Sequence, residues 1–188
     1  MLPFRTPEQR LVERLQEGDK VAAREFYVLY ADTLAGVCAC YIADEDDLKD
    51  VFQDAFIQIL THIGDFRYRG AGSLLAWAKK VVVNQALKFL RTAQRLDMVP
   101  LDRDFADTSK DEEPSVADLP PEILRQLVSR LPTGYRTVLN LYVFEGKSHQ
   151  EIARLLDIKE SSSASQLHRA KHLLAKMIRT YHDENKKR

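Results

Sequence analysis

Apolar residues recur at helical spacing along most of this chain, and polar caps and glycines cut the pattern into segments. Thr6, Pro7 and Gln9 open the first, with proline at the first helical position and glutamine three residues after the cap. Leu11, Val12 and Leu15 form its inner stripe, and Gly18 ends it. A second helical stretch starts near Asp19 with Ala22, Phe26, Leu29 and Tyr30, and continues or restarts through Leu34, Val37 and Tyr41. Asp44 to Asp47 give a third helix an acidic start, which suits the positive end of its dipole. Along it Leu48, Val51, Phe52, Ala55, Phe56, Ile59 and Leu60 make a broad apolar face, with Asp47, Asp50, Gln53, Asp54 and Gln58 facing elsewhere. Gly64 to Gly72 is a glycine-punctuated loop, and a long helix expected to be capped by Ser73 runs through Trp77, Val81, Val82, Leu87 and Leu90 to about Arg95.

Between Asp97 and Leu119 periodicity stops, and acids with Pro100 and Pro114 mark a flexible linker. Pro120 and Pro121 introduce a helix over Ile123 to Leu131, and a further apolar segment ends at Gly146. Ser148 and Glu151 then form the S-x-x-E pattern, in which hydroxyl and carboxylate each satisfy a backbone donor that a helix start leaves without a partner. Ile152, Leu155 and Leu156 give that helix one stripe, and Asp157 and Ile158 make a corner. Leu167, Ala170, Leu174 and Met177 or Ile178 give the following helix its own stripe. No strand-like alternation survives anywhere. The expected fold is all-α, with two small helical domains at residues 1–96 and 120–188 joined by an acidic linker at 97–119.

Two helices meeting at a short turn form either an ordinary αα-hairpin or a helix-turn-helix, whose second helix lies in the DNA major groove. The polar run Ser161, Ser162, Ser163, Ser165 and Gln166, then His168, Arg169 and Lys171, favours DNA, since these donors can reach bases or phosphates.

Charge sharpens this. The 188 residues carry no net charge, but the charge is sorted along the chain. Residues 44–54 hold six acids against Lys49, and residues 61–95 hold seven bases against Asp65. Residues 97–118 are acidic again, and residues 147–188 carry ten bases against five acids. A basic block is the electrostatic footprint of nucleic-acid binding, and an acidic one needs a different partner or none. Cys38 and Cys40 are too few for a disulfide framework and lack a second ligand pair for zinc, so buried thiols are expected. His168 and His172 have the spacing of two metal ligands but no third, and no glycine-rich phosphate loop or converging carboxylates suggest catalysis. Neither metal nor cofactor is expected. No apolar run approaches the ~20 residues of a membrane span, and the first residues lack a signal-peptide core, so the cytoplasm is the expected location.

The segments EDDLKDVFQDAFIQIL, DFRYRG and SLLAWAKKVVVNQALKFLR, followed by LPTGYRTVLNLYVFEGKSHQEIARLLDI and SQLHRAK, together resemble bacterial sigma factors of the extracytoplasmic-function group. The first three are similar to that family's second conserved region and the last two to its fourth, in the family's order. The resemblance implies a subunit without chemistry of its own that binds core RNA polymerase and recognises the minus-ten and minus-thirty-five elements of promoter DNA. It implies that Asp47, Asp50, Gln53 and Asp54 dock on the clamp helices of the β′ subunit, whereas the residues alone would equally make a solvated acidic face. The flap of the β subunit and an anti-sigma factor are further implied partners.

Arg67, Tyr68 and Arg69 suit capture of an unpaired base, because exposed bases stack on aromatic or guanidinium planes while cations track the strand. Asn84 falls where the family carries an asparagine that contacts the minus-ten region, and Lys80 at a position that is usually arginine. Trp77, beside Val81 in the spacing, is expected in the core. For the minus-thirty-five element the resemblance points to Ser162, Ser165, Gln166, His168, Arg169 and Lys171. Here the chain departs from the family: two customary bases are missing and a core valine is replaced by Ser163, whose hydroxyl is expected to bond a preceding carbonyl.

Overall fold

The computed structural model describes residues 5–92 and 119–186. These form an all-α architecture of eight helices and one short 3-10 turn, with no strand among the described residues. Nearly all of the expected linker lies outside the described residues. The chain divides into two compact units, Met1–Phe89 and Leu90–Arg188.

In the first unit, helix α1 (Pro7–Gln16) starts as its sequence dictates: the Thr6 hydroxyl accepts from the Gln9 amide at 3.1 Å. Asp19 caps α2 (Lys20–Ala39), and Asp44 accepts from the amides of Asp46 and Asp47 at the start of α3 (Glu45–His62). The 3-10 turn Ile63–Asp65 follows, then a loop, then α4 (Ser73–Thr92). Phe26, Leu34, Ile59, Leu74 and Val82 are fully buried, each contributing roughly 1.5–3 kcal/mol against exposure. Ala22, Ala55, Ala78 and Ala86 show no surface either, and such small residues let helix backbones approach closely. Around Phe56 an aromatic group assembles, with Phe26 at 5.7 Å and Tyr27 edge-on at 5.3 Å. Leu29, expected on the inner face, is 56% exposed, because α2 runs unbroken and turns Ala22, Phe26, Ala31, Leu34 and Cys38 inward instead. Burial pushes the Cys38 thiol up to about 11, so it stays protonated.

The second unit comprises α5 (Pro121–Ser129), α6 (Thr133–Val143), α7 (His149–Leu156) and α8 (Glu160–Lys186). The long α8 packs against the other three. Leu119 is buried against Leu127 and Ile178, so the packed structure begins two residues before α5. Every residue of α6 from Gly134 to Leu141 is buried, Arg136 included. Its guanidinium donates to the Ser129 and Leu131 carbonyls at 2.7 and 3.3 Å, satisfying acceptors that the end of α5 leaves open. Both halves of the capping box form at α7, Ser148 with Glu151. These hydrogen bonds hold the Glu151 carboxyl below its ordinary range. The corner is closed by Asp157 in the left-handed region at φ 56°, a conformation that aspartate tolerates better than most side chains.

Candidate nucleic-acid interface

The loop into α4 and the first turns of that helix enclose an open cavity of about 550 Å³, lined by Asp65, Phe66, Arg67, Arg69, Trp77 and Lys80, with Ser73 and Ala76. Phe66 and Trp77 stand 5.2 Å apart with their planes at 41°, so one wall is aromatic. Three cations share the rim with a single lining acid, Asp65. Helical spacing places Ser73, Trp77, Lys80 and Asn84 along one side of α4, and both Lys80 and Asn84 are exposed.

The geometry departs from the sequence reading at two residues. Trp77, expected in the core, is only half-buried and lines the cavity. The signal was its spacing from Lys80 and Asn84, one and two turns on. Tyr68 is not among the lining residues: its hydroxyl meets the Thr6 hydroxyl at 2.8 Å, beside the start of α1.

Side chains of α1 hold the loop at both ends. Gln16 Nε2 donates to the carbonyls of Ile63 and Phe66 at 3.0 and 2.8 Å. Glu8 accepts from the Gly72 amide at 2.6 Å and the Leu74 amide at 2.9 Å. Ser73, expected to cap α4, instead accepts from the Arg69 amide at 3.2 Å, so the cap comes from Glu8, more than sixty residues away. Gly70 and Gly72 hold φ of 127° and 82° with open space around them, so backbone conformation rather than crowding calls for glycine here.

On α3, Asp50, Gln53 and Asp54 are exposed and Asp47 is half-buried. Asp54 accepts from Gln85 Nε2 at 3.4 Å. Ile57, absent from the sequence reading, is 52% exposed and falls on the same side of the helix as Asp50, Gln53 and Asp54.

In the second unit, Ser165, His168 and Lys171 of α8 are exposed, whereas Ser162, Gln166 and Arg169 are half-buried. Arg169 Nη1 lies 3.4 Å from the Tyr135 hydroxyl of α6, a long contact that draws the guanidinium toward its own unit. Ser163 is completely buried, and its hydroxyl pairs with His149 Nδ1 of α7 at 3.0 Å rather than with a preceding carbonyl. The same imidazole stacks on Tyr142, with centroids 4.9 Å apart. A polar clip therefore joins the two helices of the helix-turn-helix. Among the described residues no cluster of three or more His, Cys, Asp or Glu could hold a metal ion, and no helix is long and apolar enough to cross a membrane.

Residues 26–96 match the family model for sigma-70 region 2, and residues 122–174 that for sigma-70 region 4. The chain is 31% identical to the RNA polymerase sigma-H factor of Pseudomonas aeruginosa, over 91% of this chain and 93% of that protein. It is 27% identical to the ECF RNA polymerase sigma-E factor of Haemophilus influenzae, over 91% and 95%. The ECF RNA polymerase sigma-E factor of Escherichia coli is 29% identical, over 89% and 92%. A solved structure described as CnrH in complex with the cytosolic domain of CnrY aligns with a TM-score of 0.48 at 21% identity, covering 91% of this chain and 96% of that one. The chain belongs to the sigma-70 family of RNA polymerase sigma factors, in its ECF group. Its work is promoter recognition in transcription initiation, as a DNA-binding initiation factor.

Proposed function

We propose that the cavity beside α4 captures an unpaired base of the minus-ten element as the promoter melts. The observation that carries this is the joining of an aromatic wall, Phe66 with Trp77, to three cations, Arg67, Arg69 and Lys80, around one space of about 550 Å³. A flipped base stacks on the rings while the cations follow the phosphates, and Asn84, one turn beyond Lys80, offers a donor and an acceptor to a neighbouring base. Tyr68 contributes by fixing the loop to Thr6 rather than by stacking.

In the second unit, α8 enters the major groove at the minus-thirty-five element. Ser165, His168 and Lys171 reach out, and Ser162, Gln166 and Arg169 flank them. No lysine or arginine stands in the first turns of α8 before Arg169, so phosphate attraction there is modest and sequence is read mainly through neutral donors.

Core polymerase is held at two places. Asp47, Asp50, Gln53 and Asp54, with the exposed Ile57 among them, meet the clamp helices of β′; an isoleucine amid acids suits a protein partner better than solvent. The exposed Tyr142, Val143 and Phe144 at the end of α6 meet the flap of β. An anti-sigma factor acts by covering these same surfaces, and the protein works in the cytoplasm.

The test is transcription by purified chain with core polymerase on a genomic library, start sites mapped, beside Asp50→Arg. Starts that share upstream elements and vanish in the variant support this reading. Duplex binding without core polymerase, and no specific starts with it, would point instead to a free-standing DNA-binding regulator.

A further inference from the structure

Helix α1 lies outside the residues that match region 2, yet its side chains fasten the strand-capture loop at three points. Glu8, Val12 and Gln16 fall on one stripe of the helix at four-residue spacing. Gln16 grips the start of the loop with both amide hydrogens, Thr6 meets Tyr68 in its middle, and Glu8 takes the amides of Gly72 and Leu74 at its end. The last contact matters most. The loop offers α4 no cap of its own, since Ser73 is occupied by the Arg69 amide and Gly72 has no side chain. A carboxylate from the first turn of α1 therefore supplies charge-assisted bonds at the positive ends of two helices together.

We propose that α1 is part of the minus-ten apparatus and that Glu8 is its positioning residue, holding the loop so that Arg67 and Arg69 face Trp77 and Lys80 before DNA arrives. The proposal rests on reading this cavity as the strand-capture site. Glu8 touches no lining residue's cation. It acts by sparing the loop the ordering that capture would otherwise demand. Gly72 is exposed while the Leu74 side chain stays packed in the core, so losing the carboxylate loosens the loop at its Gly72 end first. Glutamine at this position keeps the volume, but its NH₂ group faces an amide that needs an acceptor.

The experiment uses holoenzyme assembled from core polymerase and the full chain, on a duplex promoter identified by start-site mapping, with the rate of open-complex formation and the affinity for core both measured. Glu8→Gln and, separately, Gln16→Leu are expected to slow opening by about tenfold, as lost charge-assisted or bidentate bonds would. Affinity for core stays at the wild-type value. In an Arg67→Ala/Arg69→Ala background, adding Glu8→Gln is expected to cost less than about twofold more, because residues acting through one element are not additive. Wild-type opening by Glu8→Gln beside a defective Arg67→Ala/Arg69→Ala chain overturns the proposal and leaves the cavity's role standing. An undiminished tenfold loss in the double-alanine background, or a fall in core affinity, overturns it in favour of a merely structural Glu8. Normal opening by Arg67→Ala/Arg69→Ala removes the strand-capture reading and this proposal with it.

Discussion

The candidate nucleic-acid surfaces of the two units have opposite shapes. In the first, cations and aromatic rings surround a hollow, and the loop that bears two of the cations is tied down by side chains from a distant helix. In the second, a convex helix presents serine, histidine and lysine outward, and the half-buried His149 paired with the buried Ser163 adds a polar link to its packing against α7. A hollow with a π-face suits a base taken out of the stack, and a convex polar ridge suits a groove whose base edges remain paired. On the proposed reading, two contacts with one promoter divide by physics, one with single-stranded DNA and one with duplex.

The largest expected effect lies in the hollow. Trp77→Ala should lower promoter opening by about 5- to 150-fold, following the ~1–3 kcal/mol that stacking one base on a ring contributes. Replacing Arg67, Arg69 and Lys80 together by alanine should reduce the salt slope of single-strand binding by about two, at roughly 0.7 per phosphate contact. The same salt titration on minus-thirty-five duplex should be unaltered, and a slope that changed equally on both would erase the division.

The clip in the second unit comes next. His149→Ala strands the buried Ser163 hydroxyl and should destabilise the full chain by about 1–3 kcal/mol, seen as a lower thermal midpoint. Adding Ser163→Val should recover most of that loss, since removing both polar partners is nearly neutral; a double variant no better than the single would show that the pair is incidental.

Smallest are the effects of pH, and the units should respond at opposite ends of the scale. Glu151 has its folded value lowered by its bonds to Ser148, so its contribution is present above its ordinary value of 4.5 and is lost as acid protonates it. Cys38 is raised by burial from 9.0 to about 11, so its contribution is present below pH 9 and is lost as pH climbs toward 11. Amide exchange should therefore quicken first around α7 in acid and first around α2 in alkali.

Much of the fold could be read from local signals. Thr6, Asp19, Asp44 and the Ser148–Glu151 box each cap the helix they precede, because such bonds span three residues or fewer. What the sequence hid was whatever depended on distant pairs. Ser73 looked like a cap, but Glu8 takes that role through a fold that brings α1 to the loop. Nothing local signalled that the Tyr68 hydroxyl meets Thr6, sixty-two residues away, and Trp77 reads as core because hydrophobicity outweighs its stripe with Lys80 and Asn84. Ser163 signalled a departure from the family, but its partner lay fourteen residues back on another helix.

The central claim is that the Phe66–Trp77 wall receives one unpaired base. It is tested most directly by binding holoenzyme to non-template minus-ten strands carrying an abasic site at each position in turn, with wild-type and Trp77→Ala chains. At one position, removing the base is expected to weaken wild-type binding by about tenfold or more yet leave the Trp77→Ala chain unaffected. Equal losses in both chains at every position would contradict it.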